Sequence, residues 1–351
     1  MRCHGFNNTQ ILPSMLIGTN FHSYGSAAYQ NKITPVPPQN YVEDSFGIFA
    51  DNGITSVRVT IHWESWELDV NQFREDLNLV ADAADKYGIM CIYDNHQWEC
   101  SSWIGYGIGM PNSIMSRYYE KRSADREPNY DTKKDFWNRW WNREIKTVHG
   151  VDGWDAQLVY LTDIVRLLEK HKSTFGFEIL NEPEVFRISD YRKVGYYHDY
   201  VIKELRKITN KPILFCWVLP HRGVMDNSVF QALASPIIMD NVIYDCHSYP
   251  PSISRMLYFK LSTLLMAKMV PLYVGEFSSG FTNGSMLTEE KQVCQYVKRF
   301  KQFGVCGWAL WRWSYIQDRN IPAFNLTKII DNRIRPGVLF TYFRNALSTT
   351  D

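Results

Sequence analysis

A chain of 351 residues, 45% of them hydrophobic, can bury a large core and is long for one domain unless that domain is a closed barrel. Lys and Arg number 38 against 37 Asp and Glu, so no basic stripe recommends nucleic acid and no acidic tail suggests a charged partner. Aromatics are the unusual class at 15%, with 12 Trp and 21 Tyr, a surplus that suits core packing and stacking on flat apolar ligand faces.

Met1 to Ile17 lacks the long apolar run of an export leader, as expected of an intracellular protein or of a secreted one whose leader has been removed. The first apolar, β-branched run is Met15–Asn20, followed by an irregular segment marked by Pro35, Pro37 and Pro38. Seven more runs follow: Ser56–Ile61, Ile89–His96, Phe175–Glu182, Ile213–Trp217, Val242–Tyr249, Leu272–Phe277 and Val305–Trp311. Between them lie helical patterns at Asp44–Asn52, Phe73–Tyr87, Ala156–His171, Tyr197–Thr209 and Glu289–Phe303. Eight strand–helix repeats without a glycine-rich phosphate loop predict an α/β chain closed as a (β/α)8 TIM barrel. One domain is expected over residues 1–351, with a long insertion at 97–153 after the third strand. Within it, Asp135–Glu144 reads as a short amphipathic helix.

The most apolar stretch, Ile253–Val270, is interrupted by Arg255, Lys260 and Lys268 and reads as a helix rather than a membrane span. The seven cysteines have no regular spacing, and Cys91, Cys216, Cys246 and Cys306 fall in strand-like runs as small buried hydrophobes. Triplets at Asn7, Asn283 and Asn325 match glycosylation acceptors, a pattern common by chance.

In such a barrel the chemistry collects at the C-terminal ends of the strands. Asn20, Arg58, His96, Asn181, Glu182, His247, Tyr249, Glu276 and Trp311 all fall at or near those ends. Two of them are carboxylates closing apolar runs, in Asn181-Glu182-Pro183 and Gly275-Glu276-Phe277. A facing pair of carboxylates is the equipment for cutting a glycosidic bond, and in the retaining version the two groups stand about 5–5.5 Å apart. Side chains two apart on a strand share a face. That parity turns His247 with Tyr249, Glu178 with Glu182, and Ala309 with Trp311 inward, and turns Trp308 toward the helices.

Taken in order, Arg58, His96 in Asp94-Asn95-His96, Asn181-Glu182-Pro183, His247-Ser248-Tyr249, Glu276 and Trp311 resemble the recurrent positions of glycoside hydrolase family 5. The resemblance runs from the first strand to the last. It implies Glu182 as general acid/base, its carboxyl held protonated by apolar surroundings and by negative Glu276, and Glu276 as the nucleophile. Arg58 and Tyr249 are expected to donate to Glu276, with Glu178 a second partner for Arg58 that cannot stay charged unpaired. Asn181 is expected to bond the sugar 2-hydroxyl. His96 and His247 are expected to line the reacting subsite, although a single His is as often structural. Trp311 is the expected sugar platform, with Trp98 and Trp103 as loop candidates and Trp63 and Trp66 as further ones, at least half of the set being ordinary packing.

The substrate so implied is a β-1,4-linked polysaccharide or oligosaccharide, a cellulose-like glucan or a mannan, cut without a cofactor by a monomer that needs no nucleic acid or membrane. Many aromatics favour an open cleft and endo attack, whereas an insertion closing one end would make an exo enzyme. Two other classes stay open. A sugar-binding barrel without turnover would keep the fold, and Asp94, His96, Asp245 and His247 would offer a metal-dependent hydrolase four inward ligands.

Overall fold

Parallel strands covered on both faces have no solvent side, which is why these strands read as apolar runs rather than alternating ones. The computed structural model describes residues 15–22, 37–123, 125–220, 228–238, 240–249, 263–278, 286–316 and 324–348. Eight strands close into one barrel: β1 Leu16–His22, β2 Ser56–Ile61, β3 Met90–Asn95, β4 Thr174–Glu178, β5 Ile213–Cys216, β6 Val242–Ser248, β7 Leu272–Phe277 and β8 Gly307–Trp313. Every neighbouring pair is parallel and in sequence order, and β8 pairs back onto β1.

All eight expected strands are present, β2 and β7 with the expected bounds and the other six with shifted ends. The largest shift is in β4, which ends at Glu178 rather than Glu182. The chain stays wedged between its neighbours a little longer, with Ile179 N–H donating to Leu214 O and Asn181 N–H to Asn95 O. Glu182 then turns left-handed at φ 39° and ends the extended run. Strand parity therefore carries only as far as Glu178: it turns Glu178 inward, but Leu180 joins the outer apolar core.

Helices cover the barrel at Tyr41–Asp51, Val70–Tyr87, Gly153–Leu168, Asp190–Leu205 and Met286–Phe303, each starting earlier than its apolar periodicity suggests. Caps explain two of the early starts. Asp69 accepts from Gln72 N–H and Asp152 from Trp154 N–H, so a polar first turn is ordered before the apolar stripe begins. Helices at Ser228–Ala234 and Val338–Ser348 add to this layer. Of the Ile253–Val270 stretch, residues 253–262 lie outside the described ones, and a short helix occupies Met266–Met269. Asn7 and Asn283 also lie outside. Among the described residues no helix is long and apolar enough to cross a membrane.

Apolar packing falls into two layers. Inside the barrel Leu16, Ile92, Phe175, Leu214, Ile243, Tyr273, Cys306 and Ala309 form a plug. The larger core lies between sheet and helices and holds Trp308, fully buried against Phe300 with ring centroids 6.2 Å apart. Cys91, Cys216, Cys246 and Cys306 are buried, as expected.

The insertion is ordered by its tryptophans. Helices Asn112–Tyr118 and Tyr130–Trp141 lie within it. Trp137 and Trp140 are fully buried, Trp137 stacks on Trp141 at 5.3 Å, and Trp140 meets Trp63 at 6.5 Å. Much of the aromatic surplus thus cements the insertion to the barrel.

Trp308→Ala deletes one of two fully buried indoles between β8 and the helices, and should lower stability by about 3–5 kcal/mol in urea unfolding. An unchanged midpoint and slope would contradict its placement.

Candidate active site

Arg58 stands on β2 with its side chain fully buried at the C-terminal end of the barrel. A guanidinium cannot discharge, so burial obliges it to collect acceptors. Its Nε and Nη2 fork onto Glu178 at 2.8 and 3.0 Å. Nη1 reaches Glu276 Oε1 at 3.0 Å and Asn20 Oδ1 at 2.9 Å, and Nη2 reaches Asn181 Oδ1 at 2.7 Å. Asp94 Oδ2 lies 3.0 Å from Nη1 and Asp245 Oδ2 3.3 Å from Nε. Arg58 thus touches both Glu178 and Glu276, the two partners expected for it, and four more groups that sequence reasoning did not connect to it.

Glu276 is nearly buried near the end of β7, between Arg58 on one oxygen and the Tyr249 hydroxyl, which donates to the other at 2.6 Å. Gly275 before it is required by a close approach: its N–H donates to Asp245 Oδ1 at 2.6 Å, and a Cβ there would land on that carboxylate.

Glu182 sits just past β4, partly exposed, and its left-handed backbone costs about 1–2 kcal/mol. His247 Nδ1 lies 2.6 Å from Glu182 Oε1 and 3.7 Å from Glu276 Oε2. One oxygen from each glutamate and one ring nitrogen all fall within 4.8 Å of one another. Behind the ring, Asp245 Oδ2 and Cys216 Sγ each lie 3.8 Å from Nε2.

This geometry corrects the expected protonation. Burial pushes the Glu182 carboxyl up, but the charge and hydrogen bond of His247 outweigh it, and the net shift is downward. His247 moves the opposite way. Burial opposes its charge, yet Glu276 first, and Glu182 and Asp245 at its two nitrogens, hold it well above the usual imidazole range. The 2.6 Å pairing thus favours the charged imidazolium and the ionised Glu182 carboxylate together. Beneath them, burial dominates: it raises Asp94 and pushes Glu178 up to about 7 in spite of Arg58. Excess acid around one arginine is relieved by protons.

The remaining predicted residues divide. His96 bonds Asp94 Oδ2 through Nδ1 at 2.7 Å and stacks on Trp311 with centroids 5.5 Å apart. Asn181 accepts from Arg58 and donates one N–H to Gln97 O at 2.9 Å. Trp98 is 46% exposed and stacks on Tyr106, itself 39% exposed, at 5.1 Å. Trp103 is partly buried, its indole N–H given to Tyr119 O at 2.8 Å. Trp63 is 3% exposed and stacks on Tyr160, while Trp66 donates to Asp163, so both pack between helices and leave the list of platforms. The four-residue metal set is not assembled either, because Arg58 lies against both Asp94 and Asp245 and a cation there would have to displace it.

Sequence reasoning also passed over Gln97, whose side-chain amide donates to Asn181 O at 3.0 Å and Glu182 O at 2.7 Å. Its place directly after His96 was the available signal.

One imidazole in the folded protein should titrate well above 6.5 in carbon-13 histidine NMR, vanish in His247→Asn and move down in Glu276→Gln. A His247 resonance titrating at or below 6.5 would overturn this assignment.

Comparison with known proteins follows the same lines. An endogalactoceramidase structure superposes with TM-score 0.74 at 17% identity, covering 95% of this chain and 81% of its own. Endo-glycoceramidase II from Rhodococcus sp. gives TM-score 0.63 at 16% identity, covering 85% and 72%. A beta-glucanase from Saccharophagus degradans gives 0.60 at 14%, covering 96% and 89%. These likenesses speak for the fold. No match was found among curated protein sequences. Residues 18–315, however, match the sequence model of the cellulases of glycosyl hydrolase family 5, and the chain is a member of that family, a glycoside hydrolase.

Proposed function

We propose that this chain is a retaining, endo-acting β-glycosidase with Glu276 as nucleophile and Glu182 as acid/base. The observation that carries the reading is the spacing of the two glutamates. Their nearest oxygens lie within 4.8 Å, on the side of the roughly 5–5.5 Å of retaining enzymes and short of the 6.5–9.5 Å that leaves room for a water in inverting ones.

In the first step Glu276 attacks the anomeric carbon. The bond to the leaving oxygen breaks, and that oxygen takes a proton from Glu182. Arg58 and Tyr249 each donate to one Glu276 oxygen and hold the carboxylate aimed. His247, one 2.6 Å hydrogen bond away, is placed to supply that proton to Glu182 as the leaving oxygen replaces solvent beside it. In the second step water gives a proton to Glu182, its oxygen bonds the anomeric carbon, and the ester to Glu276 breaks. Asn181 has an amide N–H left to donate toward the sugar 2-hydroxyl.

For the glycone we assign a glucosyl residue bearing a β-1,4-linked hexose. The Saccharophagus degradans beta-glucanase was solved with cellotetraose, and endo-glycoceramidase II as a lactosyl-enzyme intermediate. Cellobiosyl and lactosyl units share that reacting glucose, which favours a glucan over a mannan. The leaving group admits a second reading. The endogalactoceramidase and the beta-glucanase cover this chain almost equally, but at TM-scores of 0.74 and 0.60, which favours a lipid-linked sugar as an alternative to a polymer.

The test is sugar release from carboxymethyl-cellulose, glucomannan, mannan and a lactosyl-lipid, by wild type and Glu276→Ala side by side. Wild type should release sugar from the cellulose derivative or the lipid, and a folded Glu276→Ala should lose at least about 10⁴-fold, as on removing other covalent nucleophiles. Release from none of the four would defeat the substrate reading. A folded Glu276→Ala as active as wild type would defeat the nucleophile.

A further inference from the structure

We propose that Gln97, the first residue of the long insertion, is a positioning residue for the acid/base. The inference rests on the reading of Glu182 given above. Glu182 lies outside the barrel ladder, so sheet hydrogen bonding does not fix where its carboxylate points. It is also left-handed and precedes a proline, whose nitrogen has no hydrogen to donate. A second constraint is needed, and Gln97 supplies it.

The Gln97 amide nitrogen donates to the carbonyls of both Asn181 and Glu182, at 3.0 and 2.7 Å, fixing the peptide planes on either side of the Glu182 α-carbon. The Gln97 carbonyl accepts from Asn181 Nδ2 at 2.9 Å, so the clasp closes in both directions. The amide oxygen is held in turn by Cys100 N–H at 3.1 Å, which sets which end of the side chain faces the glutamate loop. Gly109, at φ 130°, lies flat on the same residue: a Cβ there would come within 2.5 Å of Gln97 Cβ. Gln97 is 2% exposed and has one orientation open to it.

Cys100 and Gly109 both belong to the insertion, which grips the far side of the loop as well. Trp141 gives its indole N–H to Glu184 O at 2.8 Å, and Lys133 spans Glu99 at 2.5 Å and Glu184 at 3.7 Å. The insertion thus holds the proton donor at the distance the leaving oxygen requires, while Arg58 and Tyr249 bond the nucleophile directly.

That division is testable through leaving-group dependence. Dinitrophenolate departs without a proton, whereas phenolate needs one from Glu182. Gln97→Met keeps the shape under Gly109 and deletes the two donated bonds. On phenyl β-cellobioside its kcat/KM, which reports the first step alone, should fall about 10–100-fold, the loss expected from a displacement of order 1 Å. On 2,4-dinitrophenyl β-cellobioside it should fall no more than about 3-fold, because that bond breaks without acid help. The ratio of the two is independent of how much protein is folded. Equal losses on both substrates, or no loss on either, would overturn the proposal. If Gln97→Met does not fold, Trp141→Phe carries the test, with the same direction and about 3–10-fold on the phenyl substrate. A wild type that cleaves neither glycoside overturns the function proposed above and this role with it.

Discussion

The active end of this barrel is organised by one buried guanidinium. Arg58 cannot give up its charge, and burial would be prohibitive without partners around the whole fork. Asn20 from β1, Asp94 from β3, Glu178 and Asn181 from β4 and its exit, Asp245 from β6 and Glu276 from β7 all converge on it. The planar donor set holds these strand ends in a fixed relation, so the Glu276 oxygens are placed by the same contacts that make the arginine tolerable. Pairing of this kind earns little net stability. Its return is geometry, a preorganised anionic centre in a site that water barely reaches.

Four carboxylates against one arginine is an excess of acid, and the way it is balanced separates the two glutamates chemically. Glu178 and Asp94 are driven toward their neutral forms by burial, and His247 takes up charge between Glu182 and Glu276. Unequal surroundings for paired titratable groups are how one site holds an acid and a nucleophile together. Here the division is less direct than two differently shifted carboxyls, because an imidazole held toward its charged form lies between both.

Much of this was legible in the sequence, for reasons that locate what was not. The barrel followed from eight buried runs alternating with helical periods, since burial on both faces leaves an apolar signature that one chain displays. The meeting of Arg58 with Glu178 was legible because parity lasts to Glu178, and its meeting with Glu276 because of the resemblance to family 5. The end of strand regularity after Glu178 was not legible, because the left-handed turn at Glu182 leaves no mark on a hydrophobic pattern. Asp94 and Asp245 were read as possible metal ligands because inward orientation was visible while the cation already between them was not. Trp63 and Trp66 belonged to the helix layer, which only their tertiary neighbours reveal. The downward shift of Glu182 depends on a 2.6 Å contact with His247 from another strand, beyond the reach of any local pattern.

The central claim is that Glu276 forms a covalent bond to the sugar. The most direct measurement is intact and peptide mass spectrometry after incubation with 2,4-dinitrophenyl 2-deoxy-2-fluoro-β-cellobioside, whose glycosyl-enzyme turns over slowly. The account predicts one fluorodisaccharide added per chain, on the peptide containing Glu276. An adduct on a different carboxylate, or turnover without an adduct and with inverted anomeric configuration in the product, would contradict it.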